Sequence, residues 1–331
     1  MIISRTPFRI SFFGGGTDYP VWYNENGGAV LSASINKYCY VTCRYLPPFF
    51  DYKHRIVYSQ REEVNDFSEI DHPSARECLR FMGIEKGIEI HHDGDLPART
   101  GLGSSSSFTV GLLNALHALR GNMVSKRQLA LDAIHVEQER IGEHVGSQDQ
   151  SIAAFGGFNK IVFDKNSNIL VQPMIMDQQR LELFQDHLML FFTGFSRTAS
   201  EIAKEQIKQT PKKANELRAM HAMVDESVSI LNSGCDLAEF GALLNETWKL
   251  KRSLTSKISN PAIDEIYDAA IKAGALGGKL LGAGGGGFIL FFARPEDQPR
   301  IKEALSKFLY VPFRFEPLGS QVIYYGPGGG Y

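Results

Sequence analysis

Short runs of β-branched and aromatic residues alternate with longer segments of helical periodicity along the chain of 331 residues. In the first half, such runs predict strands at residues 7–13, 29–35 and 38–45. In the second half, apolar residues at helical spacing predict long helices at about 198–209, 212–233, 236–254 and 261–273. Because both halves mix strands with helices, the pattern predicts an α+β chain of two domains, residues 1–180 and 181–331.

A stretch rich in glycine and serine stands directly before one of the predicted helices. The segment from Leu96 to Ser107 reads Leu-Pro-Ala-Arg-Thr-Gly-Leu-Gly-Ser-Ser-Ser-Ser, and the apolar run from Phe108 to Leu119 follows it at once. Gly101 and Gly103 let the backbone approach an anion closely, and the helix that follows offers free N–H groups to it. Four serines exceed what one helix cap needs, so the pattern favours a phosphate cradle over a simple serine cap. The stretch lacks the Lys-Ser/Thr ending of a P-loop, so we expect a metal ion and distant side chains to neutralise the phosphate charge.

Composition and charge narrow the class of partner. Hydrophobic residues make up 43% of the chain and charged residues 22%, which is typical of globular proteins. The formal net charge of −2, without a long basic block, argues against nucleic acid. No apolar run is long enough to span a bilayer and the N-terminus has no signal-like apolar core, so we expect no membrane partner and a cytoplasmic location. The four cysteines lack CxxC spacing, which argues against a zinc site or a disulfide framework.

The strand that contains Arg9 ends in three glycines, Gly14 to Gly16, which we call the triple-glycine turn. Thr17 and Asp18 follow it. A carboxylate at the mouth of a sheet can accept hydrogen bonds from two sugar hydroxyl groups at once. The alternative for Asp18 is a cap on the helix that follows the turn.

Two acidic residues, Glu139 and Asp149, flank a turn bounded by glycines. Phosphoryl transfer needs one carboxylate for magnesium and another near the accepting hydroxyl group. Taken alone, however, both would be ordinary surface acids.

A second glycine-rich segment, Gly282 to Gly287, lies late in the chain between two apolar strands, and we call it the glycine-rich loop. Its four successive glycines favour close approach of the backbone to a ligand or to another segment. The alternative is a wide hairpin turn.

Together and in this order, these segments resemble the GHMP small-molecule kinases, named for galactokinase, homoserine kinase, mevalonate kinase and phosphomevalonate kinase. The matching motifs are the basic strand and acidic turn at 7–19, the Pro-x-x-x-Gly-Leu-Gly-Ser-Ser stretch at 97–105 and the Gly-Ala-Gly-Gly-Gly motif at 282–287. The resemblance implies a two-domain GHMP kinase fold with the active site between the domains. The N-terminal domain would be similar to ribosomal protein S5 domain 2, and the C-terminal domain would be ferredoxin-like.

The resemblance also implies roles for individual residues. Asp149 would take or orient the proton of the accepting hydroxyl group, with Arg9 as its basic partner. ATP would be the cofactor, with Mg²⁺ held by Ser105 and Glu139. The residues that would surround the ATP phosphates are Pro97, Gly101, Leu102, Gly103, Ser104, Ser105 and Ser106. The residues that would contact the acceptor are Gly15, Gly16, Thr17, Asp18, Gly157, Arg197, Gly284 and Gly285.

One departure points to a branch of the family. Galactokinases and mevalonate kinases usually carry Glu-His in the first motif, where this chain has Gly15 and Gly16. This difference, together with the segments 279–288 and 193–201, resembles the D-glycero-D-manno-heptose 7-phosphate kinase branch. Loss of the two bulky side chains would enlarge the sugar pocket. Arg197, at the start of a predicted helix, would suit a substrate phosphate, although it could equally be a surface arginine.

The resemblance therefore implies a kinase that uses ATP and magnesium to phosphorylate the anomeric hydroxyl group of this heptose 7-phosphate, giving the 1,7-bisphosphate. Two alternatives stay open: another anomeric sugar kinase, of the fucokinase or galactokinase type, and a non-catalytic sugar-sensing relative. The expected partner is a small sugar phosphate, and the expected assembly is a monomer or a homodimer.

Overall fold

The fold consists of two mainly antiparallel sheets with helices packed against them. The computed structural model describes residues 1–194 and 199–326. The strands are β1 (Ile2–Phe13), β2 (Gly28–Tyr45), β3 (His54–Val57), β4 (Arg61–Val64), β5 (Ile88–Gly94), β6 (Phe158–Phe163), β7 (Ile169–Pro173), β8 (Leu188–Phe192), β9 (Gly277–Leu280), β10 (Phe288–Phe292), β11 (Leu309–Tyr310) and β12 (Gln321–Tyr325). The helices are α1 (Pro20–Asn26), α2 (Pro73–Phe81), α3 (Ser104–Leu119), α4 (Lys126–His135), α5 (Gln148–Phe155), α6 (Gln178–Asp186), α7 (Ala199–Gln209), α8 (Ala214–Asn232), α9 (Ala238–Leu254), α10 (Pro261–Lys272) and α11 (Gln298–Ala304). A π-helical turn, Val136–Ile141, directly continues α4.

The first sheet has eight strands and is organised around β1 and β2. Its main order is β12-β1-β2-β5-β3-β4, and β6 pairs with β2 and with β7. Arg9 on β1 stands opposite Ser34 on β2 in this antiparallel pair. The expectation of separate strands at 29–35 and 38–45 is wrong, because a shift in register opposite Pro7 and Phe8 lets β2 run unbroken through both.

The second sheet has four strands in the order β11-β8-β10-β9, and β9 packs against α9 and α10. Strand β11 ends at Tyr310, and further along the chain Phe315 forms only an isolated bridge with Ile35. The C-terminal strand β12 returns to the first sheet, where Tyr325 pairs with Ile2. Both ends of the described chain therefore meet on one sheet.

A cluster of phenylalanine rings joins the two sheets. The ring of Phe184, on α6, lies 4.8 Å from that of Phe240 and 5.7 Å from that of Phe158. Phe12, near the end of β1, and Phe292, on β10, belong to the same cluster. Burial of these rings stabilises the contact between the two sheets, and the cluster therefore fixes the end of β1 relative to the second sheet.

The helices agree with the sequence pattern more closely than the strands do. Helix α3 spans Ser104–Leu119 and so includes the serines and the apolar run in which a helix is predicted, and α7 to α10 each fall within about three residues of their predicted bounds. The expected α+β class is thus confirmed. Among the described residues, no helix combines the length and apolar character needed to span a bilayer.

Candidate active site

Arg9 and Asp149 form a two-pronged ion pair beside the phosphate cradle. The Arg9 Nε donates to Asp149 Oδ1 at 2.7 Å and its Nη2 donates to Oδ2 at 2.6 Å. The remaining guanidinium nitrogen, Nη1, donates to the Gly101 carbonyl at 2.6 Å. The Arg9 side chain is only 5% exposed and that of Asp149 is 23% exposed, so the carboxylate is the part of the pair that a ligand can reach.

The four serines of the cradle lie at the start of α3, and their side chains differ in hydrogen bonding and exposure. The helix follows Gly103, whose φ of +73° places it in the left-handed region. Ser104 Oγ accepts from the backbone N–H of Arg99 at 3.1 Å, and Ser107 Oγ donates to the Pro7 carbonyl at 2.9 Å. Ser105 is exposed on the first turn, where the helix has free N–H groups. The start of α3 therefore offers the free N–H groups that the predicted phosphate cradle requires.

Asp18 lies at the mouth of the first sheet, almost completely buried. Its Oδ1 accepts from the backbone N–H of Gly16 and its Oδ2 from Gln148 Nε2, both at 2.9 Å. It does not cap α1, whose N-cap is Tyr19. Burial raises the pKa of the Asp18 carboxyl group, and the nearby negative charge of Asp149 raises it further. The hydroxyl group of Thr17 is used within the turn, since it donates to the Gly14 and Ala29 carbonyls.

Three consecutive residues at the start of α5 each form a hydrogen bond with a different charged side chain. Gln148 donates to Asp18, and Asp149 accepts from Arg9. Gln150 donates through Nε2 to Glu137 Oε2. The two glutamines were missed by sequence reasoning, although their places on either side of Asp149 are a signal that could have identified them.

Glu137, rather than Glu139, lies beside the cradle. Glu137 is fully buried and its Oε2 accepts from Ser106 Oγ at 2.8 Å. Burial raises its pKa to about 7. The side chain of Glu139 is 72% exposed and lies 3.0 Å from His135 Nδ1. The structure thus does not bring Glu139 to the other predicted site residues.

One unpaired carboxylate oxygen beside the cradle is chemically suited to bind a metal ion. The second carboxylate oxygen of Glu137, Oε1, is buried without a hydrogen-bond partner among the described residues. A hard oxygen ligand left unpaired next to Ser106 suits a divalent cation that also binds phosphate oxygens. Within residues 1–194 and 199–326, no group of three or more His, Cys, Asp or Glu side chains forms a ready-made cage.

The glycine-rich loop packs tightly on the cradle at both of its ends. A methyl group at Gly282 would lie 2.4 Å from the Gly101 Cα, and one at Gly287 would lie 2.2 Å from the Thr100 carbonyl oxygen. Gly285, in the middle of the loop, donates its N–H to the Ile258 carbonyl at 2.9 Å. Gly284 also contacts Ile258. The close approach expected from the glycines is therefore an approach to the cradle and to the segment after α9.

Two buried lysines, which sequence reasoning also missed, support these loops. Lys251 Nζ donates to the Leu280 carbonyl at 3.0 Å and to the Gly282 carbonyl at 2.6 Å. Lys279 Nζ donates to the Phe12 carbonyl at 2.7 Å. Burial lowers the pKa of Lys251 to about 7, with a further contribution from the positive charge of Arg9. Burial likewise lowers the pKa of Lys279.

The remaining predicted residues lie at the edges of this arrangement or beyond it. Pro97 is exposed at the start of the cradle, and Leu102 is buried with its carbonyl bonded to the Arg9 N–H at 3.0 Å. Gly157 follows the C-terminal end of α5 and bonds to Ser34 and Glu316, whereas Asp149 lies in the first turn of that helix. Arg197 lies outside the described residues.

Comparison with known proteins identifies the family. The model for the GHMP kinases N terminal domain matches residues 73–157, and the model for the GHMP kinases C terminal domain matches residues 231–311. The first of these regions contains the cradle and Asp149, and the second contains the glycine-rich loop. The chain belongs to the GHMP kinase family, and it is a kinase.

Individual relatives extend the similarity over almost the whole chain. The chain is 30% identical to the D-glycero-alpha-D-manno-heptose 7-phosphate kinase of Campylobacter jejuni, over 92% of this chain and 93% of that protein. It is 26% identical to the L-fucokinase/L-fucose-1-P guanylyltransferase of Bacteroides fragilis, over 93% of this chain and 36% of that longer protein. A crystal structure of a D-glycero-D-manno-heptose 1-phosphate kinase from Bacteroides thetaiotaomicron superimposes with a TM-score of 0.77 at 26% identity, covering 98% and 100% of the two chains. The expected two-domain GHMP kinase fold is thereby confirmed.

Proposed function

We propose that this GHMP kinase transfers the γ-phosphoryl group of ATP to the anomeric hydroxyl group of D-glycero-D-manno-heptose 7-phosphate, giving the 1,7-bisphosphate. The observation that carries the proposal is the placement of Arg9, which holds Asp149 and the Gly101 carbonyl of the cradle with one guanidinium group. An acceptor at Asp149 would thus lie next to a triphosphate on the cradle. The Campylobacter jejuni relative supports the choice of acceptor.

In the proposed reaction the accepting oxygen attacks the γ-phosphorus in line, without a phosphoenzyme. Asp149 takes the hydroxyl proton as the new O–P bond forms and the bond to the ADP oxygen breaks. Arg9 keeps Asp149 ionised and stabilises charge on the transferring group. Beyond its bonds to Gly16 and Gln148, the Asp18 carboxylate accepts hydrogen bonds from acceptor hydroxyl groups, and Gly15 of the triple-glycine turn leaves room for them.

We further propose that Mg²⁺ is held by Ser105 together with an acidic residue of the π-helical turn. The sequence motif suggested Glu139, but the contact of Glu137 with Ser106 makes Glu137 the better candidate. When bound, the ion would neutralise charge on the phosphate oxygens. Ser105 and Ser106, with the free N–H groups of α3, would surround the phosphates.

The decisive experiment is a nucleotide-consumption screen over heptose phosphates, hexose phosphates and free sugars, with the phosphorylated position determined. The names of the two heptose relatives differ in the position of the phosphate, so mapping the product is essential. We expect activity on the heptose 7-phosphate and a new phosphate at the anomeric carbon. Activity on free hexoses or fucose alone would reject this acceptor and favour the fucokinase or galactokinase alternative.

A further inference from the structure

The three glycines of the triple-glycine turn are not equivalent. Gly14 and Gly16 have φ values of +79° and +104°, which strongly favour glycine. A methyl group at Gly14 would lie 1.9 Å from the Ala29 carbonyl oxygen, and one at Gly16 would lie 2.7 Å from Gln206 Nε2. Backbone conformation and packing therefore account for these two residues.

Neither backbone conformation nor packing requires a glycine at Gly15. Its φ lies outside the left-handed region, and the nearest atoms to a methyl group placed there would be 3.9 Å away. Gly15 is also only half-buried, between two buried glycines. A methyl group here would make only ordinary van der Waals contacts, so the space that the glycine leaves beside these atoms calls for another explanation.

Two polar side chains with unused hydrogen-bonding atoms border this space. The atoms 3.9 Å from the position of the absent methyl group are Ser11 Oγ and Gln148 Nε2. Ser11 is 6% exposed and Gln148 is 8% exposed. Ser11 Oγ and Gln148 Oε1 are both buried without a hydrogen-bond partner among the described residues. A buried polar atom without a partner is costly, so both atoms are suited to a further partner beyond the described residues, such as a bound ligand.

The same two residues connect the space to the proposed chemistry. Ser11 lies two residues after Arg9 on β1, with regular pairing to β2 between them, so the two side chains share one face of the sheet. Gln148 precedes Asp149 and donates to Asp18. Since a carboxylate only accepts, this bond fixes the amide so that its NH₂ group faces Asp18 and its carbonyl oxygen is left over.

We propose that the space beside Gly15 is a subsite for the acceptor, in which Ser11 and Gln148 bind hydroxyl groups next to the reacting one. The inference rests on the proposed function, because it presupposes a polyhydroxylated acceptor at Asp18 and Asp149. A serine hydroxyl and a carboxamide each donate and accept, as sugar hydroxyl groups do. Together they select a sugar over an acceptor of similar size that lacks hydroxyl groups.

Gly15→Ala tests the open space. The ordinary backbone and the 3.9 Å clearances allow the methyl group in the free protein, so we expect a melting temperature equal to or above that of the wild type. We expect an unchanged dissociation constant for ATP, and a KM for the heptose 7-phosphate that rises about tenfold or more because the methyl group occupies the subsite. Gly234→Ala is the matched control, since Gly234 is exposed, has open space around it and lies far along the chain after α8.

Ser11→Ala and Gln148→Met test the two polar groups. Ser11→Ala removes a hydroxyl group that has no hydrogen-bond partner in the described part of the chain, so a purely structural role predicts no loss of activity or stability. The subsite instead predicts a kcat/KM for the sugar phosphate that falls about five- to tenfold, with ATP binding unchanged. Gln148→Met, of similar size, should lower the same parameter at least as much.

The outcomes distinguish failure of the subsite from failure of the proposed kinase function. If the wild type phosphorylates the sugar phosphate and all three variants match it in kcat/KM, the subsite is rejected while the kinase function stands. If the variants lose ATP binding or unfold, the residues are structural and the subsite is rejected as well. If the wild type phosphorylates no sugar or sugar phosphate although it binds ATP, the proposed function falls and the subsite with it.

Discussion

The guanidinium group of Arg9 and the backbone carbonyl of Gly101 are joined by a hydrogen bond of 2.6 Å, although the residues belong to a strand and to a distant loop. The same guanidinium group donates a hydrogen bond to each carboxylate oxygen of Asp149. A single buried side chain therefore sets the distance between the proposed base and the cradle. Because in-line transfer depends on that distance, Arg9 acts through geometry as well as through its charge.

Arg9→Lys should separate these two contributions. Lysine keeps the positive charge but has no fork with which to hold two carboxylate oxygens and a carbonyl at once. We expect kcat to fall about 100-fold, as for a small misplacement of reacting groups. The control is Arg294→Lys, at an exposed ion pair with Asp236, which should leave steady-state kinetics unchanged. A wild-type kcat for Arg9→Lys would show that charge alone suffices.

Asp149→Asn should stop proton transfer while preserving the cradle. The amide has nearly the same shape but cannot take the hydroxyl proton, so we expect kcat to fall by about 10²- to 10⁴-fold. The dissociation constant for ATP, measured by titration, should change little because Asp149 does not belong to the cradle. Asp225→Asn, at an exposed pair with Lys160, is the matched control. Unaltered turnover would remove Asp149 from the mechanism.

Glu137→Gln and Glu139→Gln form a matched pair, because the two side chains are two residues apart and only one contacts the cradle. We expect Glu137→Gln to raise the free Mg²⁺ concentration needed for half-maximal activity by about 10- to 100-fold, the range seen when groups around a metal are altered. Glu139→Gln should behave as the wild type does. The reverse result in a magnesium titration of kcat would restore Glu139 as the ligand.

Arg197→Ala tests the recognition of a phosphorylated acceptor. If Arg197 binds the 7-phosphate, its removal should raise the KM for the heptose 7-phosphate about tenfold or more, since charge-assisted bonds to phosphate are strong. Turnover of the unphosphorylated heptose, measured alongside, should be the same in Arg197→Ala and the wild type. Equal losses with both acceptors would show that Arg197 does not recognise the phosphate.

The sequence alone suffices for the parts of the site that depend on local conformation. Gly103 and the serines after it place the start of α3 correctly, because a left-handed glycine and a free first turn are local features. The motif around Asp149 and the strand around Arg9 also predict the two residues that the structure pairs. Their separation of 140 residues shows that this pairing came from the family resemblance rather than from local pattern.

The parts that could not be predicted depend on tertiary structure. The chain enters a π-helical turn at Val136, which changes the rotation per residue, so helical periodicity no longer tells which of Glu137 and Glu139 faces inward. Lysine is seldom buried, and nothing near Lys251 in the sequence indicates the carbonyl groups that it meets 29 and 31 residues later. The contacts of such residues form only when the second sheet packs against the first, so local sequence does not indicate them.

Lys251 should make the stability of the protein depend on pH. Its pKa is lowered from the ordinary 10.5 to about 7 by burial and by Arg9, with Asp18 opposing the change. Between these values the unfolded chain binds a proton that the folded protein does not, so the free energy of unfolding should rise with pH, by up to about 1.4 kcal/mol per unit. As the pH falls towards 7, this contribution is lost. Chemical denaturation of the wild type and of Lys251→Met at pH 7, 8 and 9 isolates it, because the difference between the two proteins cancels the other titrating groups. A difference that stays constant over this range would show that Lys251 keeps its proton in the folded protein.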